Sequence, residues 1–165
     1  MFRFLMQIAL APLTIAVVDL LVLIPLALVL IEVFQILASG KNFHDALEVI
    51  TGIGVILIGW GVALEERHDL REIFNIHSHN EEWQSGIDAT CRATGIGALV
   101  FGLFAEMCIE AIKMPNHIIN TEGINEALVG LSMLFLALTA YVLVRHIALL
   151  IPAALRGRLH SSKGV

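Results

Sequence analysis

The stretch PLTIAVVDLLVLIPLALVLIEVFQIL, residues 12–37, is apolar on all sides of a helix and has only Asp19 and Glu32 as ionisable residues. About 20 apolar residues are enough to cross the hydrocarbon core of a bilayer. Three more stretches of this kind follow, at residues 46–64, 93–112 and 124–151. The sequence therefore predicts an all-α integral membrane four-helix bundle, a single transmembrane domain that covers residues 1–165.

Composition points to the same class of protein. The 165 residues are 58% hydrophobic and 15% charged, and the mean hydropathy is +0.84. Soluble domains carry about 25% charged residues. A water-soluble chain of this length has too little polar surface to cover four helices that are apolar all round. We therefore expect the lipid bilayer to surround most of the chain.

The distribution of basic residues predicts the orientation. With four spans, both termini, the connector 65–92 and a short polar tail at 157–165 lie on one side of the membrane. Eight basic residues fall on that side: Arg3, Arg67, Arg71, Arg92, Arg145, Arg156, Arg158 and Lys163. Only Lys41 and Lys113 fall on the other side. Because basic residues in short loops stay cytoplasmic, both termini are predicted to be cytoplasmic, in the cell membrane (the inner membrane of a bacterium).

The connector 65–92 is the only long polar segment. Leu70, Ile73 and Phe74 recur there at helical spacing, which favours a helix with one face on the membrane surface. We expect this interfacial helix between the second and third spans.

Small residues are concentrated in the second and third spans. Spacings of four or seven residues form a groove that lets two helices approach closely in lipid. The residues predicted to pack in this way are Gly52, Gly59, Ala63, Gly95, Ala98 and Gly102. The second and third spans are thus predicted to be an intimate pair, and the same faces can serve contacts between subunits.

Ionisable residues inside the spans are candidates for function because burying them in lipid is costly. The candidates for an ion pathway or an intersubunit contact are Asp19, Glu32, Glu48, Glu106 and Glu110. Glu106 lies about 20 Å along its span, given the helical rise per residue. It is therefore the candidate that we expect to be desolvated.

Two cofactor hypotheses rest on fewer signals. A divalent metal is one of them, because carboxylates and imidazoles on facing helices can bind such an ion; its candidate ligands are His44, Glu48, Glu106 and Glu110. Haem is the other, because two imidazoles can hold its iron axially; the candidates are His68 and His146. The paired Glu-x-x-His motifs of a di-iron bundle are absent from the sequence. No cofactor is favoured.

Other classes of function lack support in the sequence. No Gly-x-Ser-x-Gly motif occurs, and the few basic residues follow membrane topology, so neither nucleophilic catalysis nor nucleic-acid binding is predicted. On one helix, Cys91 and Cys108 would lie about 25 Å apart and could not form a disulfide.

Three functional hypotheses remain. The leading one is a small non-catalytic membrane subunit, an accessory, anchor or scaffold protein that packs against itself or other membrane subunits. The alternatives are a small cation or proton transporter or channel that uses intramembrane carboxylates, and an electron-transfer anchor that carries haem or a metal.

Overall fold

The computed structural model describes residues 2–39, 43–76, 81–121 and 123–161, and its regular secondary structure is helical throughout these ranges. The helices are α1 (Phe2–Ala9), α2 (Pro12–Ser39), α3 (Phe43–Glu65), α4 (Arg67–Ile73), α5 (Glu81–Lys113) and α6 (Asn125–Ser161). Four of them, α2, α3, α5 and α6, are long and apolar enough to cross a membrane. The all-α class is confirmed, and these four helices indicate a multi-pass membrane protein.

Two of the long helices extend beyond the apolar stretches that predicted them. α5 begins at Glu81, inside the connector expected at 65–92. Its buried face continues through Cys91 and Ile87, on the N-terminal side of the apolar stretch that predicted the span. α6 continues to Ser161, so the segment expected as a tail at 157–165 begins as helix. A high mean hydropathy reveals only the part of a helix that is apolar on all sides. An amphipathic extension of the same helix has a lower mean hydropathy and is not detected.

The four long helices form a closed bundle. α2 packs against α3 and α6, and α5 packs against the same two helices. The centre of the bundle is apolar, and its largest buried cluster includes Leu26, Val33, Ile50, Leu57, Ile109, Leu136 and Leu143. The outer faces also carry large apolar side chains, such as Leu21, Leu28 and Tyr141. A bundle that is apolar both inside and outside is suited to lipid.

α3 and α5 make the most extensive contact in the bundle, as the spacing of their glycines predicts. A Cβ atom added to Gly61 would lie 2.8 Å from the carbonyl oxygen of Gly95. One added to Gly95 would lie 2.5 Å from the carbonyl oxygen of Gly61 and 2.6 Å from the backbone nitrogen of Glu65. The two backbones therefore touch where neither residue has a side chain.

The short helices lie at one end of the bundle, which we call the α4 end. It includes α1, the start of α2, the end of α3 and the start of α5. α4 ends where Asn75 adopts a positive φ of 51°, and the amide of Ile76 donates to the carbonyl of Arg71 at 2.9 Å. Asparagine tolerates this left-handed conformation at a helix terminus. A helix thus occupies the predicted position, and its place on a membrane surface stays a prediction.

Candidate functional site

Three of the long helices meet at a buried carboxylate near the α4 end. Asp19 on α2 is 0% exposed. The indole Nε1 of Trp60 on α3 donates to Asp19 Oδ1 at 2.8 Å. Nδ1 of His146 on α6 lies 2.8 Å from Asp19 Oδ2, which is a hydrogen-bond distance. Each carboxylate oxygen therefore has a partner from a different helix.

The imidazole of His146 uses only one of its two nitrogens in this network. The side chain is 1% exposed, and its second nitrogen, Nε2, is buried without a hydrogen-bond partner among the described residues. Since the two nitrogens of an imidazole point in diverging directions, Nε2 faces away from Asp19 and α2. A buried ring nitrogen without a partner carries a desolvation cost of about 1–3 kcal/mol.

His146 also lines a cleft between α5 and α6. The cleft has a volume of about 330 Å³, and the residues around it include Thr90, Thr94, Arg145 and His146. Arg145 is exposed and forms no ion pair with any residue of the described ranges. The cleft thus combines an exposed cation with two threonine side chains, while the His146 side chain, 0% exposed, lies behind its wall.

A second polar network ties the short helices to the bundle. Asp88 on α5 receives the guanidinium groups of Arg67 and Arg71 from α4, with Arg71 Nη1 2.7 Å from Asp88 Oδ2. Nη2 of Arg67 also donates to the carbonyl of Leu10 at 2.8 Å, in the turn between α1 and α2. Arg67 therefore joins three parts of the chain, and its side chain is 1% exposed.

Burial changes the acidity of both arginines in this network. Desolvation lowers the pKa of the Arg67 guanidinium to about 10, with a further lowering by the neighbouring charge of Arg71. Desolvation also lowers the pKa of Arg71. Both side chains remain protonated at neutral pH, so two cations face the Asp88 carboxylate. The cluster serves as a structural tie because its donors are already engaged.

The opposite end of the bundle holds Glu106. One of its oxygens, Oε2, is buried without a hydrogen-bond partner in the described structure, and it lies beside Gly54 of α3. Its neighbours are polar: Nζ of Lys113 donates to Thr51 Oγ1 at 2.6 Å and to Glu110 Oε1 at 2.8 Å. Glu106 thus lies at the α3–α5 contact, one helical turn before the exposed ion pair of Glu110 and Lys113.

The predicted metal ligands are only partly brought together. His44 Nε2 and Glu48 Oε1 lie 3.6 Å apart on an exposed face of α3, while Glu110 pairs with Lys113. Among the described residues, the group whose ligand atoms all lie within 4.8 Å of one another is instead His68, Asp69 and Glu72 on α4, all exposed. Exposed acidic groups of this kind are common without an ion, so the metal hypothesis gains no support.

The haem candidates have different surroundings. His68 is exposed on α4, and its Nδ1 lies 3.3 Å from Asp88 Oδ2. His146 is buried against Asp19. Their rings have separate partners, and axial haem ligation by this pair stays a prediction without support from these contacts.

The remaining candidates divide between the inside and the outside of the bundle. Glu32 is exposed on α2. The buried packing positions are Gly95, Ala98 and Gly102, together with Gly54 and Gly61. Gly52, Gly59 and Ala63 are exposed on the outer face of α3, and a Cβ at Gly52 or Gly59 would meet no atom within 4 Å. Gly52 and Gly59 therefore have open space where a side chain would lie, and Ala63 is exposed on the same helix.

Sequence reasoning missed Trp60 and Asp88 altogether and treated Asp19 and His146 separately. The sequence did contain a signal for the network around Asp19. Asp19 lies about 10 Å from the start of α2, and Trp60 a similar depth from the end of α3, by the helical rise. For the second network, Arg67 and Arg71 are four residues apart and share a helix face, which favours a common acidic partner.

The four long apolar helices indicate a multi-pass, all-helical membrane protein, and the Asp19 network forms a buried polar site near the α4 end of its bundle. No protein-family model, curated protein or solved structure matches the chain significantly.

Proposed function

We propose that the protein is a small non-catalytic membrane subunit that associates with a second copy or another membrane protein through the outer face of α3. The observation that supports this most is the open stripe of Gly52, Gly59 and Ala63, spaced seven and four residues apart. All three are exposed. Small residues at such spacing promote helix association in lipid, where backbones can come close.

The polar residues of the described chain are consistent with a structural role. Asp88 and its arginines tie α4 and α1 to the bundle, and Asp19 joins α2, α3 and α6. These contacts use the buried charges to hold helices together. An apolar surface depression between α2 and α6, with a volume of about 650 Å³ and lined by Leu30, Phe34 and Met133 among others, adds further surface for a neighbour.

The test is Gly59→Leu, measured by native mass spectrometry of the protein extracted from its own membrane in mild detergent. Leucine fits at Gly59 within the protomer because no atom lies within 4 Å of the added Cβ. We expect the protomer to stay folded and the complex to dissociate. Gly86→Leu is the matched control, since Gly86 is an equally open glycine on α5, outside both the α3 stripe and the α2–α6 depression. A wild-type protein that is monomeric, or a complex that survives Gly59→Leu, contradicts the proposal.

A second candidate function, cation or proton movement, is favoured by one observation, the unpartnered buried oxygen of Glu106. A buried carboxylate oxygen without a partner inside a membrane span is a candidate ion ligand. Flux into liposomes should then fall with Glu106→Gln and persist with Glu110→Gln, whose native carboxylate is exposed and paired with Lys113. Equal flux in both variants and the wild type, or none in the wild type, removes this candidate.

A further inference from the structure

The outer face of α3 carries a longer pattern than its small residues alone. Its exposed positions recur at alternating spacings of four and three residues, which is the repeat of a coiled-coil contact face. The members, all exposed, are Glu48, Gly52, Val55, Gly59, Val62 and Glu66. We call the middle four, Gly52 to Val62, the α3 seam. Its glycines alternate with β-branched valines, so the seam allows a second helix to pack closely in lipid.

A carboxylate lies at each end of the α3 seam. Glu66 continues the helical path of α3, since its amide donates to the carbonyl of Val62 at 3.0 Å. Glu48 and Glu66 are therefore about 27 Å apart along the helix axis, given the rise per residue. This separation is close to the thickness of the hydrocarbon core of a bilayer. A helix that covers the seam thus meets a negative charge near each surface of the membrane.

The carboxylate at the α4 end of the seam is the one without compensation. Within the part of the chain that the structure describes, Glu66 forms no ion pair, and its side chain does not cap α4. The adjacent cations, Arg67 and Arg71, are paired with Asp88 instead. At the opposite end of the seam, Nε2 of His44 lies 3.6 Å from the local carboxylate. A partner can therefore supply a cation at the α4 end.

The same charges argue against a second copy of the chain as the occupant of the seam. Two copies inserted in the same orientation have parallel α3 helices, and a two-fold axis between them places each seam residue next to its own equivalent. Glu66 would then face the same carboxylate of the other copy. Asp69, three residues further along the chain, is also exposed and acidic. Like charges placed opposite each other destabilise an interface.

We propose that the α3 seam binds a transmembrane helix of a different protein, one that has a small-residue face and a lysine or arginine opposite Glu66. This inference rests on the association through α3 proposed above, and it names the chemistry of the partner. The cytoplasmic ends of membrane helices carry an excess of Lys and Arg. In the orientation predicted from the basic residues, the α4 end is cytoplasmic. The basic end of the partner helix then lies beside Glu66, and its long side chain keeps the charge at the membrane surface.

The test uses the full-length protein in liposomes with synthetic transmembrane peptides, and energy transfer between labels on the protein and the peptide measures binding. Each peptide has glycines and valines at alternating four- and three-residue spacings. It carries lysine, glutamine or glutamate at both ends of that face, so that either direction of insertion tests the charge. At low salt we expect the lysine peptide to bind about fivefold more tightly than the glutamine peptide, the size of one exposed ion pair. The glutamate peptide should bind most weakly, and added salt should reduce these differences.

Variants of the protein separate the charge from the packing. Glu66→Gln should reduce the preference for the lysine peptide. Glu72→Gln is the matched control, because it makes the same change of charge at an exposed residue of α4 outside the seam, and it should retain the preference. Gly59→Leu should abolish the binding of every peptide, since it fills the seam.

The outcomes distinguish this inference from the association on which it rests. Equal binding of the three peptides, abolished by Gly59→Leu, would leave the association in place and overturn the basic partner. Equal effects of Glu66→Gln and Glu72→Gln, or a wild-type protein that associates with its own second copy in preference to the lysine peptide, would overturn it in the same way. Binding of no peptide, or binding that Gly59→Leu does not change, would overturn the association through α3 together with this inference.

Discussion

His146 Nδ1 and Asp19 Oδ2 lie 2.8 Å apart, although 127 residues separate them in the chain. This contact joins the first and last long helices, and the Trp60 indole adds α3 to the same carboxylate. In lipid no water can replace a lost partner, so each member depends on the other two. The network therefore fixes the positions of α2, α3 and α6 relative to one another along the bundle.

Asp19→Ala should destabilise the bundle strongly, because it leaves the Trp60 N–H and His146 buried without their acceptor. Removing one partner of a buried polar pair costs about 3–5 kcal/mol. Asp19→Asn is the matched control, since its amide can still accept from Trp60 and donate to His146. Thermal unfolding in detergent measures both variants. Equal melting temperatures for Asp19→Ala and Asp19→Asn would contradict a role for the hydrogen bonds.

Arg67→Gln should release α1 from the bundle. The substitution removes the guanidinium that donates to the Leu10 carbonyl and pairs with Asp88. Arg71→Gln is the comparison, because it also weakens the contact with Asp88 but leaves the one with Leu10 in place. Hydrogen exchange of the α1 amides measures the difference. We expect exchange in α1 to rise at least tenfold with Arg67→Gln only, and similar exchange in both variants would be the contrary result.

The four spans and the close α3–α5 pair could be predicted because each depends on a local pattern. Hydropathy reveals a span, and the spacing of Gly95 and Gly102 reveals a helix face. The polar networks could not be predicted in the same way. Whether Asp19 meets His146 depends on how α2 and α6 are rotated about their axes, and two helices that are apolar all round give little indication of that rotation. Orientation in the membrane stays a prediction from the basic residues.

Gly95→Ala should destabilise the α3–α5 pair. The added methyl would lie 2.5 Å from the carbonyl oxygen of Gly61 and 2.6 Å from the amide nitrogen of Glu65, so the helices must separate. We expect a cost of about 1–3 kcal/mol, as for other overpacked cores. Gly86→Ala is the control, because its methyl meets no atom within 4 Å, it lies outside the α3 stripe, and alanine favours a helix by about 1 kcal/mol. The two melting temperatures should shift in opposite directions, and a common shift would count against the α3–α5 geometry.

The two cysteines can report which end of the bundle opens. Both are free and buried, so a maleimide should label neither until the structure opens. Cys91 packs at the α4 end with Leu64 and Ile87, whereas Cys108 lies near Glu106 in the sequence, toward the other end of α5. If Arg67 holds the α4 end together, Arg67→Gln should speed the labelling of Cys91 and leave that of Cys108 unchanged. Faster labelling of both cysteines would indicate global unfolding, and an unchanged rate at Cys91 would mean that Arg67 does not hold this end closed.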